Sequence, residues 1–273
     1  MTVERPAWPS IALLREVTQP PAVRGRRTAE HWTGDLYMQE VSPHLTRLLV
    51  RAGLSANAVT ALMIVTGYAA GPALLVPGLG GALLAVALTQ LQMLWDASDG
   101  EVARWRGRTS PLGVFLDRVG HYGTEALIPV GLGARAAGGL GELSDAEGYG
   151  WTTLGALLAV VIVLNKALND MVHVARATAG LPRVADDEST TAPRASGLAR
   201  LRRLARFVPF HRLYHSIELS LLVLVAAVVD AVLGDLTGTR VLLAVLVPAA
   251  LLAVAGHFLA IVTSARLRAS TAS

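Results

Sequence analysis

Residues 79–134 read LGGALLAVALTQLQMLWDASDGEVARWRGRTSPLGVFLDRVGHYGTEALIPVGLGA. Two apolar runs, 79–100 and 111–134, flank a polar turn that carries Arg104, Arg106 and Arg108. At about 1.5 Å per residue each run is long enough to cross a hydrocarbon core of about 30 Å. Both also hold charge at depth: Asp96 and Asp99 in the first, Asp117, His121 and Glu125 in the second. The rest of the chain agrees with a membrane reading. Of 273 residues, 53% are hydrophobic and only 16% charged, with mean hydropathy +0.49, a composition that excludes an ordinary soluble enzyme. With only 5% aromatics, the apolar mass is Ala, Leu, Val and Gly, the small and aliphatic set that packs transmembrane helices closely. The fold class is all-α, a polytopic membrane protein. There is no cysteine, so any metal must be held by oxygen or imidazole.

Working outward, apolar stretches suited to spans fall at 56–76, 79–100, 111–134, 150–175, 211–233 and 240–264, giving six transmembrane helices over a catalytic domain of residues 55–265. Residues 1–41 form a polar, arginine-bearing N-terminal segment without the apolar core of a signal peptide. In 42–54, Ser42-Pro43 suits an N-cap followed by proline at the first helical position. Leu45, Leu48, Leu49 and Ala52 then recur at helical spacing, as in an amphipathic helix lying on the membrane. Residues 178–209 read as a cytoplasmic loop with a basic second half, and 266–273 as a tail. Arginine and lysine number seven in 1–54, three in 101–110 and seven in 176–206, against none in 77–79, one in 135–149 and none in 234–239. This positive-inside alternation puts both termini and the acidic residues near the cytoplasmic face of the cell membrane. It also explains the excess of 24 basic over 20 acidic residues without a nucleic-acid partner.

Intramembrane charges cost several kcal/mol each and mark function by default. Asp96 and Asp99 are spaced i,i+3, and Asp117, His121 and Glu125 step by four, so each set shares one helical face. An antiparallel hairpin about residue 108 sets Asp99 level with Asp117, and Asp96 level with residue 120, beside His121. Several carboxylates in a low-dielectric site need a compensating cation. Oxygen ligands with one imidazole suit Mg2+ or Mn2+, and a pair of such ions serves phosphoryl chemistry. A purely structural alternative neutralises these charges with Arg104, Arg118 and Arg212. Gly100 and Ala103 lack bulk and let a nucleotide approach the helix. Arg104 can then meet a phosphate, and Gly113 leaves room opposite.

Together, Asp96-x2-Asp99-Gly100-x2-Ala103-Arg104-x8-Gly113-x3-Asp117-x3-His121 resembles the signature of the CDP-alcohol phosphotransferase family, seven positions matching over 22 residues. Ser55-Ala56-Asn57-x2-Thr60 resembles the segment that leads into the family's first span, with Ala56 in place of its familiar proline. The resemblance implies transfer of a substituted phosphate group from a CDP-alcohol such as CDP-diacylglycerol to an acceptor hydroxyl, with release of CMP, in phospholipid or related phosphodiester synthesis. It implies two divalent ions on Asp96, Asp99 and Asp117, and a nucleotide site of Gly100, Ala103, Arg104 and Gly113. It further implies membrane-lipid surroundings and a homodimer. The departure is His121, where the family has a fourth aspartate, thought to be the base and a metal ligand. Imidazole can do either. Glu125, one turn on, is expected to orient His121 or to supply the missing carboxylate.

Lys166, the only lysine, shares a face with Asn169, Asp170 and His173, and Arg212 lies near the start of the fifth span. Lys166, Asp170 and Arg212 are the candidate acceptor-binding residues. Lys166 paired with Asp170 at i,i+4 is the structural alternative. The loss of the fourth aspartate also admits an inactive family member acting as a membrane scaffold. A cation transporter fits less well, because the acidic residues gather near one face.

Overall fold

A computed structural model describes residues 5–24, 37–143, 145–182, 214–264 and 267. Among these residues every regular element is helical and there is no strand. Short helices α1 (Ile11–Thr18) and α2 (Pro21–Arg24) precede α3 (Gln39–Arg51). Six longer helices follow: α4 (Ala56–Ala73), α5 (Gly78–Arg106), α6 (Pro111–Ala137), α7 (Ala146–Thr178), α8 (Ser216–Leu233) and α9 (Thr237–Thr263).

Their ends are set by local chemistry. Ser55 and Ser110 sit in extended conformation, their hydroxyls accepting from the N–H of Ala58 and Gly113, and Pro111 occupies the first turn, where a missing N–H costs nothing. Gly107, at φ 61°, closes α5 in the left-handed conformation that glycine adopts without strain. Ala56 takes the first helical position of α4, which is why a proline is dispensable there.

Four helices, α5, α7, α8 and α9, are long and apolar enough to cross a membrane. The six-span expectation is met only to that extent. The 18-residue α4 carries Asn57 and Thr60, and α6 carries Asp117, Arg118, His121, Glu125 and Arg135, so the site residues themselves lower the apolarity of these two. All six helices nonetheless close one ring: α4 packs on α5 and α6, α6 on α7, α7 on α9, α9 on α8, and α8 back on α5. Ile128, Leu132, Leu158, Leu219, Val223 and Leu243 fill its centre. Thr89 on α5 bonds Ser220 on α8 at 2.8 Å. Glycines allow the closest approaches: a Cβ on Gly131 of α6 would lie 2.2 Å from the Gly71 carbonyl of α4, and one on Gly155 of α7 would lie 2.7 Å from Gly133 Cα of α6.

The expected start of the surface helix is corrected. Ser42 is not an N-cap and Pro43 is not at the first position, since α3 begins at Gln39 and buries both residues. Pro43 has no N–H for the carbonyl of Gln39 four residues back. Gln19 Nε2 donates to that carbonyl instead, at 2.8 Å. Ser42 Oγ and Thr46 Oγ1 each donate to the buried Glu101 of α5 at 2.6 Å, and Gln19 Nε2 donates to it at 2.8 Å. One face of α3 is thus bolted to α5 by polar contacts, while Val41 and Leu48 point outward. The loop at 178–209 lies, from residue 183 on, outside the described residues.

Candidate active site

The α5–α6 turn returns the chain so that Asp96 and His121 meet, although the two helix backbones do not pack closely and α4 lies against both. Only side chains bridge the gap. His121 Nε2 stands 3.0 Å from Asp96 Oδ1 and 3.4 Å from Asp117 Oδ1. One ligand atom from each of Asp96, Asp117 and His121 lies within 4.8 Å of the other two. This is the register that a hairpin about residue 108 requires. Two carboxylates and an imidazole, all partly buried, fit an oxygen-preferring divalent cation that tolerates one nitrogen ligand.

Asp99 stands beside this group and not within it. Its Oδ2 accepts from Thr60 Oγ1 at 2.6 Å. Thr60 lies near the start of α4, and Asn57 of the same segment reaches Gly113, where an added Cβ would meet its Oδ1 at 3.2 Å. The segment therefore builds one wall of the site. Its signal in the sequence was two polar residues at i,i+3 at the mouth of an apolar run. Arg104 folds back over Gly100, whose missing Cβ leaves space for the guanidinium: an added Cβ would lie 3.1 Å from Nη1. Arg104 Nε donates to the Thr18 carbonyl at 2.5 Å, so the end of α1 fixes the orientation of this arginine. Ala103 lies half-buried on the same turn.

Glu125 is placed differently from expectation. Its nearly buried carboxylate accepts from Lys166 Nζ at 2.8 Å and pairs with His215 Nδ1 at 3.0 Å, and it makes no hydrogen bond to His121. Lys166 is correspondingly not paired with Asp170. Asp170 accepts from Arg118 and from Tyr122 OH, the latter at 2.8 Å. Two charge clusters thus join α6 to α7, and the Glu125 cluster also reaches the start of α8. Arg212 lies outside the described residues. His257 Nδ1 lies 2.9 Å from Asn165 Oδ1.

An all-helical bundle with several apolar spans, and with two acidic faces closing on an imidazole, defines a multi-pass membrane protein with a polar chamber of the kind that holds divalent ions. Residues 54–185 match the family described as CDP-alcohol phosphatidyltransferase. An archaetidylinositol phosphate synthase of Aeropyrum pernix is 41% identical over 81 residues, which cover 30% of this chain and 40% of that relative.

Proposed function

We propose that the protein transfers a substituted phosphate group from a CDP-alcohol to an acceptor hydroxyl and releases CMP. The observation that carries this reading is the convergence of Asp96, Asp117 and His121 from α5 and α6 within 4.8 Å, on a segment that matches the CDP-alcohol phosphatidyltransferase family. Asp96, Asp117 and His121, with Asp99 alongside, would hold Mg2+ or Mn2+, as two ions when the donor is present. Bound there, the ions would supply neutralising charge to the donor diphosphate.

The chain's own residues divide the remaining work. Gly100, Ala103, Arg104 and Gly113 form the nucleotide side, with Arg104 held by Thr18 and its forked guanidinium set over Gly100, a group suited to phosphate oxygen. Thr60 donates to Asp99 and so fixes its carboxylate. A neutral His121 has one basic nitrogen: with Nε2 given to an ion it would be a ligand, and with Nε2–H donated to Asp96 or Asp117 its Nδ1 would be the base that takes the proton of the acceptor hydroxyl. Glu125 then acts as a positioning residue, fixing Lys166 and His215. Lys166, with Asp170 and Arg212, presents the acceptor. Six spans with cytoplasmic termini, a cytoplasm-facing site in the cell membrane and a homodimer complete the proposal.

The acceptor is tested first among inositol phosphates, since the matched relative is an archaetidylinositol phosphate synthase. Purified full-length chain is incubated with Mg2+, CDP-diacylglycerol and a panel of inositol phosphate, glycerol 3-phosphate and serine, and CMP and lipid product are measured. CMP formed in proportion to one lipid product supports the reading. A folded protein that forms no CMP with any of these acceptors, nor with soluble CDP-alcohol donors, counts against it.

A further inference from the structure

At the far end of α5 from the apolar core, residues 5–7 run across the helix terminus and enclose an open cavity of about 420 Å3. Three arginines line it, Arg5, Arg106 and Arg108, over an apolar floor of Val50 and Trp105. None of these residues belongs to the Asp96, Asp117 and His121 group. Arg5 Nη1 donates to the Trp105 carbonyl at 2.7 Å, which ties the N-terminal segment down and holds its guanidinium at the rim. Among the described residues no carboxylate pairs with Arg5, Arg106 or Arg108. Two more cations flank the cavity. Trp8, next to the lining residue Ala7, has Arg47 and Arg51 at 3.8 and 4.9 Å from its ring centroid, and these two arginines bracket Val50 in α3.

Five guanidinium groups in so small an arc repel one another unless an anion joins them. Arginine in particular presents forked N–H pairs that match phosphate oxygens. The volume is that of a small-molecule site, and the buried Val50 and Trp105 would take the uncharged part of a ligand. The cavity also lies beside the α5–α6 turn, which on the membrane reading proposed above emerges at the level of lipid headgroups.

We propose that this cavity binds a phosphate-bearing anion, either the headgroup of an anionic phospholipid or a soluble phosphate, at a site separate from the reaction chamber. The test uses thermal unfolding of the full-length chain in neutral detergent, with three additions compared: phosphatidylglycerol, phosphatidylcholine, and inorganic phosphate against chloride at equal ionic strength. Near saturation a specific anion raises Tm by about 5 °C. The rise is lost in the Arg106→Gln/Arg108→Gln double variant and partly kept in Arg106→Lys/Arg108→Lys, which retains charge but not the fork. A rise with phosphatidylglycerol alone identifies a lipid headgroup, and a rise with inorganic phosphate identifies a soluble ester. Should the glutamine pair not fold, the lysine pair decides, an undiminished rise counting against the site. The proposal is overturned if neither anion raises Tm of the wild type, or if the variants respond as the wild type does.

Discussion

His121 turns Nε2 toward both Asp96 and Asp117, and in the proposed reaction the ring is either a metal ligand or the base. Removing the ring therefore removes whichever of the two roles it fills. His121→Ala is expected to lower CMP release by about 10²- to 10⁴-fold, whereas His121→Asp, which restores a carboxylate, recovers most of the rate. Equal activity of wild type and His121→Ala would show that the proton goes elsewhere. The acidic positions were legible in the sequence because helical spacing alone sets their faces, and the hairpin register brings Asp96 to His121. The partners of Glu125 were not legible. Lys166 and His215 lie 41 and 90 residues away, and the i+4 neighbour that local spacing suggested, His121, is not the one it bonds.

At the scale of single elements, α6 is the helix most constrained by its neighbours. A Cβ on Gly131 would meet the backbone oxygen of Gly71 at 2.2 Å, while one on Gly256 of α9 would meet nothing within 4 Å. Gly131→Ala should therefore push α4 and α6 apart at a cost of about 1–3 kcal/mol. Gly256→Ala should be neutral or mildly stabilising. Thermal unfolding of the two variants in one detergent checks the contrast. The start of α3 shows where local rules give way. Ser-Pro reads as a cap followed by a first turn, but Gln19 and Glu101, distant in sequence, satisfy the groups that let the helix begin at Gln39.

Across the whole molecule, charge placement separates into topology and chemistry. Arg135, the one basic residue of a non-cytoplasmic connection in the sequence reading, is buried within α6. It donates to Thr239 Oγ1 and the Gly78 carbonyl and lies 3.8 Å from Asp230. It is neutralised inside the bundle, so it does not oppose the positive-inside pattern. Both side chains are about 5% exposed, and Asp230 also accepts from the N–H and hydroxyl of Thr239. Asp230→Ala should therefore destabilise by about 3–5 kcal/mol, read as a fall in Tm without a change in metal dependence. Of the six spans read in the sequence, four are apolar enough to cross a membrane, and α4 and α6 fall short because Asn57, Thr60, Asp117, His121 and Glu125 make them polar.

The most direct test of the central claim is CMP release from CDP-diacylglycerol by chelator-treated, purified protein with Mn2+ added back, wild type against Asp117→Asn. Release that is absent under chelation, returns with Mn2+ and falls by about 10³-fold in the variant is the predicted result. Release that persists with chelator, or is equal in Asp117→Asn, would contradict the account.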